Sequence, residues 1–475
     1  MGERIKTSKL LIIFFMMLLM IVSSGCLYGC KKVEHIDNST EDNKTSSEEF
    51  NDSSDTAIED LEEPIPTNSS LSYTLDVGLN GYIVTGIGNS QEKEIKIENN
   101  YADKPVIAIG ANAFKNNSRI LSVYIPSNVT KISDYAFLGC TKINHVEFQE
   151  GSELKEIGDK AFARCENLED IVLPNKVETI GKEVFCGCAS LSSIYAPDSI
   201  NVVKEDILCD TLWWEKASAG IVYLNKIAYG YKHGDDLDGC LFIKEGIKII
   251  PDKAFSNTKE IIEINLPKDI TYIGTAAFSN CNQLSSIKIH ENNTAYQAVD
   301  NCLIMRETQR LILGCKNSII PDNILELGDY CFYGAIELAD IELKDSIRLI
   351  GKGAFKNCSS FTPAVLTLPK NLQEISQDAF KGCAKLNSVV IDENVINICP
   401  GAFDDCTSLR VAVIKSPYVL AKIARLIDQG GLIFNADIIY LDTDLSVSNY
   451  IDANYAKQVE SDKPGYYKYT KIIPY

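Results

Sequence analysis

The chain has 475 residues, 45% of them hydrophobic and 23% charged, with a net charge of −19. That balance excludes a nucleic-acid binder working through a basic face. Only four histidines occur, and no HExxH, nucleophile-elbow or phosphate-loop pattern appears, so little is present from which to build a catalytic or metal centre.

The N-terminus carries Arg4, Lys6 and Lys9 ahead of an apolar run over residues 10–22. Such a run is too short to cross a bilayer as a helix, which needs roughly 20 residues. With the small residues Ser23, Ser24 and Gly25, residues 1–25 read as a secretory signal. Cys26 follows directly, in a setting that resembles a bacterial lipoprotein processing site. The resemblance implies a diacylglycerol on the Cys26 thiol and a place on the outer side of the cell membrane. Cys30, after Tyr28 and Gly29, is a second candidate.

Residues 26–70 read as a disordered acidic linker. Residues 31–70 hold three Lys and twelve Asp or Glu, with abundant Ser, Thr and Asn. So little apolar surface cannot offset the entropy of ordering. Much of the chain's acidity therefore belongs to this tether, which self-repulsion extends. Residues 71–104 contain alternating apolar positions (Tyr82 to Val84, Ile95 to Ile97) between turn residues, and are expected to form a β-rich N-terminal cap.

From residue 105 to 417 one phrase recurs, clearest as IGDKAFARCENLEDIVLPNKVET over residues 157–179. Phe114, Phe137, Phe162, Phe185, Phe255, Phe278, Phe332, Phe355, Phe380 and Phe403 mark it, mostly 23 or 25 residues apart. After Phe162, apolar residues stand at Leu168, Ile171 and Leu173, and the last two alternate with polar neighbours as in a strand with one face buried. Pro126, Pro174, Pro197 and Pro267 stop such strands because proline cannot donate to a ladder. One coil this short cannot bury its own apolar side chains, whereas stacked coils can. The prediction is a leucine-rich-repeat-like solenoid of about 13 coils, about 23 residues each, with one parallel sheet along one face.

The full pattern IGxxAFxxCxxLxxIxLP resembles the BspA-type leucine-rich repeat family of bacterial surface proteins. It departs from the commonest leucine-rich pattern at Lys176, where Asn or Cys would stand. The resemblance implies a surface protein, with adhesion among the roles of its members.

Two stretches, 198–248 and 291–323, break the period. The first contains Trp213 and Trp214 and is predicted to form a hairpin around Asn225 and Lys226. The Trp pair is read first as core filling and second as a binding anchor. The second stretch is predicted to pair residues 302–305 with 311–315 about a turn at 307–310, which sets Cys302 opposite Cys315 and within reach of a disulfide. Residues 418–475 depart from the repeat. Helical spacing over 418–428, Gly430 and Gly431, and an apolar run at 438–441 suggest an α/β C-terminal cap or small module.

Sixteen cysteines in an exported chain suggest disulfides. Seven of them, however, stand three residues after a repeat Phe, where other coils hold Asn117, Thr258 and Ala335. A slot that accepts all four residue types is a small buried packing site, so a ladder of free thiols is expected there. Outward-pointing positions of the strand face are the candidate contact surface: Tyr124, His145, Glu147, Asp170, Tyr195, Lys288, Asp340 and Glu342. This mixed array suits a protein or glycan ligand. The sequence thus predicts a lipid-anchored, monomeric, non-catalytic surface protein for adhesion or recognition, with no cofactor, metal or nucleic acid. The rivals are a structural envelope scaffold and a carbohydrate-active or carbohydrate-binding module at the C-terminus.

Replacing Cys26 with Ser is expected to abolish fatty-acid labelling and release the protein from membranes. Labelling that survives this change and disappears in Cys30→Ser would move the anchor. Each buried acyl methylene contributes about 0.8 kcal/mol, so several chains hold firmly.

Overall fold

The computed structural model describes residues 70–234, 238–363, 365–416 and 418–419, and the backbones of strands Ile438–Leu441, Tyr455–Lys457 and Tyr467–Lys471. It is a β-solenoid of about 14 turns, about 23 residues apart. The signal and linker, including Cys26 and Cys30, and most of the predicted helix over 418–428 lie outside the described residues.

Each regular coil contributes two strands rather than one. Long strands from the LxxIxL part pair in parallel, with Ser122 facing His145 and Tyr124 facing Glu147. A second ladder of two-residue strands runs through Lys131–Ile132, Glu156–Ile157, Thr179–Ile180 and Val202–Val203, each Ile or Val directly under the next. The single sheet expected from the sequence is therefore corrected to two. The short strands escape notice because two residues are too few to show alternation.

Between the two strands runs a turn segment built on the IGxxAF phrase. The residues two before and two after each Phe are left-handed: Tyr135 (φ 61°) and Gly139 (72°), then Lys160 (54°) and Arg164 (58°). This alternation divides the amides. Tyr135, Phe137 and Gly139 donate to Asp159, Ala161 and Ala163 carbonyls of the next coil at 2.8, 2.7 and 2.8 Å. Ala136, Leu138 and Cys140 turn back to Ser133, Tyr135 and Phe137 at 3.3, 3.1 and 3.1 Å. Every amide in the segment is thereby satisfied, which allows an irregular stretch to be buried. Close approach explains the glycine of the IG pair: a Cβ on Gly158 would lie 2.4 Å from Asp134 Oδ1 and 2.6 Å from Asp134 N.

The Phe rings form a stack inside the turn segments. Phe114, Phe137 and Phe162 are nearly parallel, with centroids 5.0 and 5.1 Å apart, and Phe332, Phe355, Phe380 and Phe403 repeat the arrangement. The free-thiol ladder is present beside them. Cys140, Cys165, Cys188, Cys281, Cys358, Cys383 and Cys406 are buried and free. Each donates its S–H to the Phe carbonyl of the preceding long-strand coil, at 3.0 Å from Cys140 to Phe114 and 3.1 Å from Cys358 to Phe332. Burial pushes the Cys140, Cys281, Cys358 and Cys406 thiols up to about 12.

The irregular stretches are coils in which a hairpin replaces the turn segment. In the first, Leu208 takes the Phe place, and helix Leu212–Lys216 follows, capped by Thr211, whose hydroxyl accepts from Trp214 N. Strands Gly220–Leu224 and Ile227–Lys232 then pair antiparallel about Asn225 and Lys226. Trp213 and Trp214 sit edge-on to Tyr229, 5.5 and 5.4 Å between centroids, which is the packing role.

The second stretch pairs three antiparallel strands, Tyr296–Val299, Cys302–Met305 and Arg310–Leu313. Here the expected disulfide is overturned, since Cys302 and Cys315 are both free. The turn comes one residue earlier than predicted, Met305 pairing with Arg310, and a bulge between Leu303 and Ile304 sets Leu303 against Leu313. Cys315 therefore lies beyond the end of the paired strand. Its sulfur instead accepts from Ser318 Oγ at 3.8 Å, and the Cys302 thiol donates to Ile319 O at 3.4 Å.

Among the described residues one disulfide forms, joining Cys186 and Cys209 with Cα atoms 4.5 Å apart and a sequence separation of 23. Both stand one residue after the Phe place of adjacent coils, so the repeat itself brings them together. At the N-terminal end, Ser72–Asp76 pairs antiparallel with Gly81–Gly86, and Tyr73 stacks on Tyr101 at 4.1 Å. At the C-terminal end, Ile438–Leu441 extends the long-strand sheet parallel to Val411–Ile414, and Tyr467–Lys471 follows antiparallel.

Three outcomes follow for stability and thiol chemistry. Phe162→Ala should cost about 3–5 kcal/mol as a buried aromatic truncation, measured by denaturant unfolding. Removing the bridge with Cys186→Ser and Cys209→Ser together should cost about 3 kcal/mol on the chain-entropy model. In native protein, alkylation should leave Cys165, Cys358 and Cys383 unlabelled until denaturant is added. Rapid labelling of all three without denaturant would contradict the burial.

Candidate recognition surface

In the long strands, alternate residues point to opposite sides, so Ile171 and Leu173 are buried while Asp170 and Val172 face outward. The eight candidate residues all occupy the outward register. Tyr124 is half-buried, and His145, Glu147, Asp170, Tyr195, Lys288, Asp340 and Glu342 are exposed.

The structure divides this row. Tyr124 lies directly beside Glu147, and His145 Nε2 approaches Glu147 Oε2 at 3.9 Å. Asp170 and Tyr195 lie on a separate pair, in which Asp170 faces Ser193 and Val172 faces Tyr195. Helix Leu212–Lys216 then takes the place of a long strand. Beyond it, Cys240–Phe242, Glu263–Leu266 and Ser286–Ile289 form a three-stranded ladder. Lys288 sits on that ladder, 2.7 Å from Glu263 Oε2. That contact, with the Asn265 amide, pulls the Glu263 carboxyl down to about 2. Asp340 and Glu342 lie past the second hairpin coil on a segment with no strand. There Asp340 accepts from Ile341 N at 2.9 Å, and Glu342 pairs with Lys344 at 2.6 Å.

The same face has an apolar component, of which the eight candidates include only Tyr195. Val172 is 64% exposed, Tyr195 50% and Phe242 62%. They occupy the outward register on either side of the helix, and Phe242 escaped because its coil lacks the Phe that marks the others. Beside the helix an open cleft of about 460 Å³ is lined by Ser192, Trp213, Lys216, Ile221 and Tyr223 among others.

The three described histidines are on separate coils: His145 beside Glu147, His233 3.8 Å from Glu260, and His290 accepting from Asn292 N. Among the described residues one cluster, Cys186, Cys209 and Asp210, has metal-ligand spacing. Its two sulfurs are bonded to each other and so offer no thiolate. No described helix is long and apolar enough to cross a membrane.

The BspA type Leucine rich repeat region matches in six copies, over residues 85–212, 240–307 and 312–422. Among solved structures, a leucine rich cell surface protein from Faecalibacterium prausnitzii A2-165 is 24% identical, with a TM-score of 0.37, covering 74% of this chain and 89% of that one. The pneumococcal vaccine antigen PcpA is 20% identical, with a TM-score of 0.36, covering 75% of this chain and 82% of its own. A leucine rich repeat protein from T. pallidum is 24% identical, with a TM-score of 0.32, covering 46% of this chain and 88% of its own. A search of curated proteins finds no match. The repeat matches span more than half of the sequence and skip residues 213–239, where the first hairpin coil departs from the phrase. On these grounds the chain belongs to the BspA-type leucine-rich repeat family, a family of cell-surface-type repeat proteins.

Proposed function

We propose that this chain is a lipid-anchored, extracytoplasmic recognition protein without catalytic activity, which holds a protein or glycan partner against its long-strand face. The observation carrying this reading is the exposed apolar group of Val172, Tyr195 and Phe242, set among the charged outward residues Asp170 and Lys288. Exposed aromatic anchors with a polar surround are the usual composition of a contact surface. The acidic tether supports the same reading, because a self-repelling linker holds a binding domain away from the surface that anchors it. A monomer suffices, since each coil already buries its faces against its neighbours.

The test is binding of the purified full chain to panels of extracellular-matrix proteins and glycans. The comparison is a variant carrying Tyr195→Ala and Phe242→Ser. Loss of an aromatic hot spot contributes about 2 kcal/mol or more, about thirtyfold in affinity, and the variant is expected to lose at least that much with unchanged thermal unfolding. Equal binding by variant and parent would move the contact off this face. Absence of any partner on both panels would favour the envelope-scaffold reading.

A further inference from the structure

The second hairpin coil leaves a cup in the turn-segment side of the solenoid. In regular coils the amide two before each Phe and the Phe amide both donate to the next coil, as Tyr135 N does to Asp159 O (2.8 Å) and Phe137 N to Ala161 O (2.7 Å). Ala276 and Phe278 occupy these two places. Ala276 and Asn280 keep the left-handed values (φ 57° and 60°) of their counterparts, so the amides face along the same axis. The coil that should receive them has a hairpin instead of a turn segment. The next turn segment rejoins only where Asn280 N donates to Tyr333 O at 2.8 Å. Neither the Ala276 nor the Phe278 amide has a protein acceptor among the described residues.

The first hairpin coil closes the counterpart of the Phe278 amide. There the amide in the Phe place, Leu208 N, donates to the Tyr229 hydroxyl at 2.9 Å. Strand register sets Ile227 against Ile249 and Arg310 against Glu326, which puts Ile312 where Tyr229 stands in the other coil. Isoleucine has no hydroxyl and is shorter, so the donor stays open and a space remains. That space is about 180 Å³, lined by Tyr272, Met305, Arg310, Ile312, Asp329 and Tyr330 among others.

Arg310 lines this region as well. Arg310 Nε is buried without a hydrogen-bond partner, its nearest carboxylate oxygen being Glu326 Oε2 at 3.8 Å. The guanidinium also approaches Asp329 Oδ2 at 3.5 Å. The two open amides call for a ligand oxygen, while two carboxylates around the Arg310 guanidinium disfavour an anion. The ligand is therefore neutral and oxygen-bearing. A cavity of about 150 Å³ takes one benzene, so this one admits a single ring or pendant group. A space of this size suits a pendant group better than a peptide running through.

We propose that the cup binds the acetamido group of an N-acetylated hexosamine. Its carbonyl oxygen accepts from the Ala276 and Phe278 amides, its methyl rests on Met305 and Ile312, and the sugar hydroxyls meet Arg310 and Asp329. Hydroxyls both donate and accept, so they satisfy a guanidinium and a carboxylate together. This site shares no residue with the long-strand face, so the two readings stand or fall separately.

The test is saturation-transfer NMR on the full chain with millimolar N-acetylglucosamine, glucose and N-acetyl-alanine methylamide. N-acetylglucosamine should give signal, strongest at its acetyl methyl, and glucose should give less than a tenth of it. Ile312→Tyr, which supplies the hydroxyl and bulk that Tyr229 supplies in the first hairpin coil, should abolish the signal, and Arg310→Lys should weaken it severalfold with the fold intact. Equal signals from both sugars, no signal from either, or undiminished signal in a folded Ile312→Tyr variant would overturn the proposal. A response to the peptide amide alone would assign the cup to a protein ligand and overturn it equally.

Discussion

The constraint on which this structure depends is the division of amides in the turn segment. Left-handed residues at two places per coil send alternate N–H groups along the solenoid axis and return the others to carbonyls three residues back. A non-glycine residue in that conformation costs about 1–2 kcal/mol, and Tyr135, Lys160, Glu183 and Asp378 all adopt it. The conformation persists because abandoning it would strand buried amides, each costing about 1–3 kcal/mol. The repeat period is fixed by the same bonds, since each coil must return its carbonyls to the same height.

Several sequence features that look unrelated follow from this spacing. The glycine of the IG pair is required by contact with the aspartate one coil below rather than by its own dihedral angles. Cysteine suits the slot three after Phe because it is small enough to fit beside the ring stack and still offers a weak donor. Its S–H reaches a Phe carbonyl that already accepts one amide of its own turn, using that oxygen's second lone pair. Threonine, asparagine or alanine fills the slot without disturbing it, as at Thr258, Asn117 and Ala335. Moving one residue along the turn segment changes the chemistry altogether. Side chains one after the Phe point outward and stand over one another in adjacent coils, so two cysteines there, Cys186 and Cys209, form a bridge.

The long strands, the Phe stack and the thiol ladder were legible because each rests on side chains that recur at a fixed interval. The second ladder was not, because its strands are two residues long and leave no alternation to detect. Cys186 and Cys209 carried a usable signal, a separation equal to one repeat, which attention to the buried cysteine slot obscured. The Cys302 and Cys315 pairing failed for the opposite reason. The turn falls one residue earlier than the spacing predicts, which moves every partner by two, and the bulge restores only one of them. For the candidate surface, outward register was readable from alternation, whereas Phe242 and the helix that splits the row depend on how one aberrant coil folds.

The two hairpin coils also divide the solenoid energetically. Buried apolar residues fall into three clusters, one ending near Ile249, one spanning Ala228 to Cys315 and one beginning at Cys302. In a linear array each coil is stabilised only by its neighbours, so a coil that lacks a Phe ring and a turn segment is a weak coupling. The first such coil is reinforced by the Cys186–Cys209 bridge just before it, by the Trp pair and by the Tyr229 hydroxyl. Lys253 also reaches back across it to Glu205 at 2.6 Å. The second has Tyr296, whose hydroxyl accepts from Ile273 N at 3.1 Å, and Asn280 bonded to Tyr333, but nothing at the Ala276 and Phe278 amides. Two interruptions of one design thus differ in what their sequences place in the gap. Where Tyr229 stands, its hydroxyl takes the amide in the Phe place, and where Ile312 stands that amide is left without a protein acceptor among the described residues.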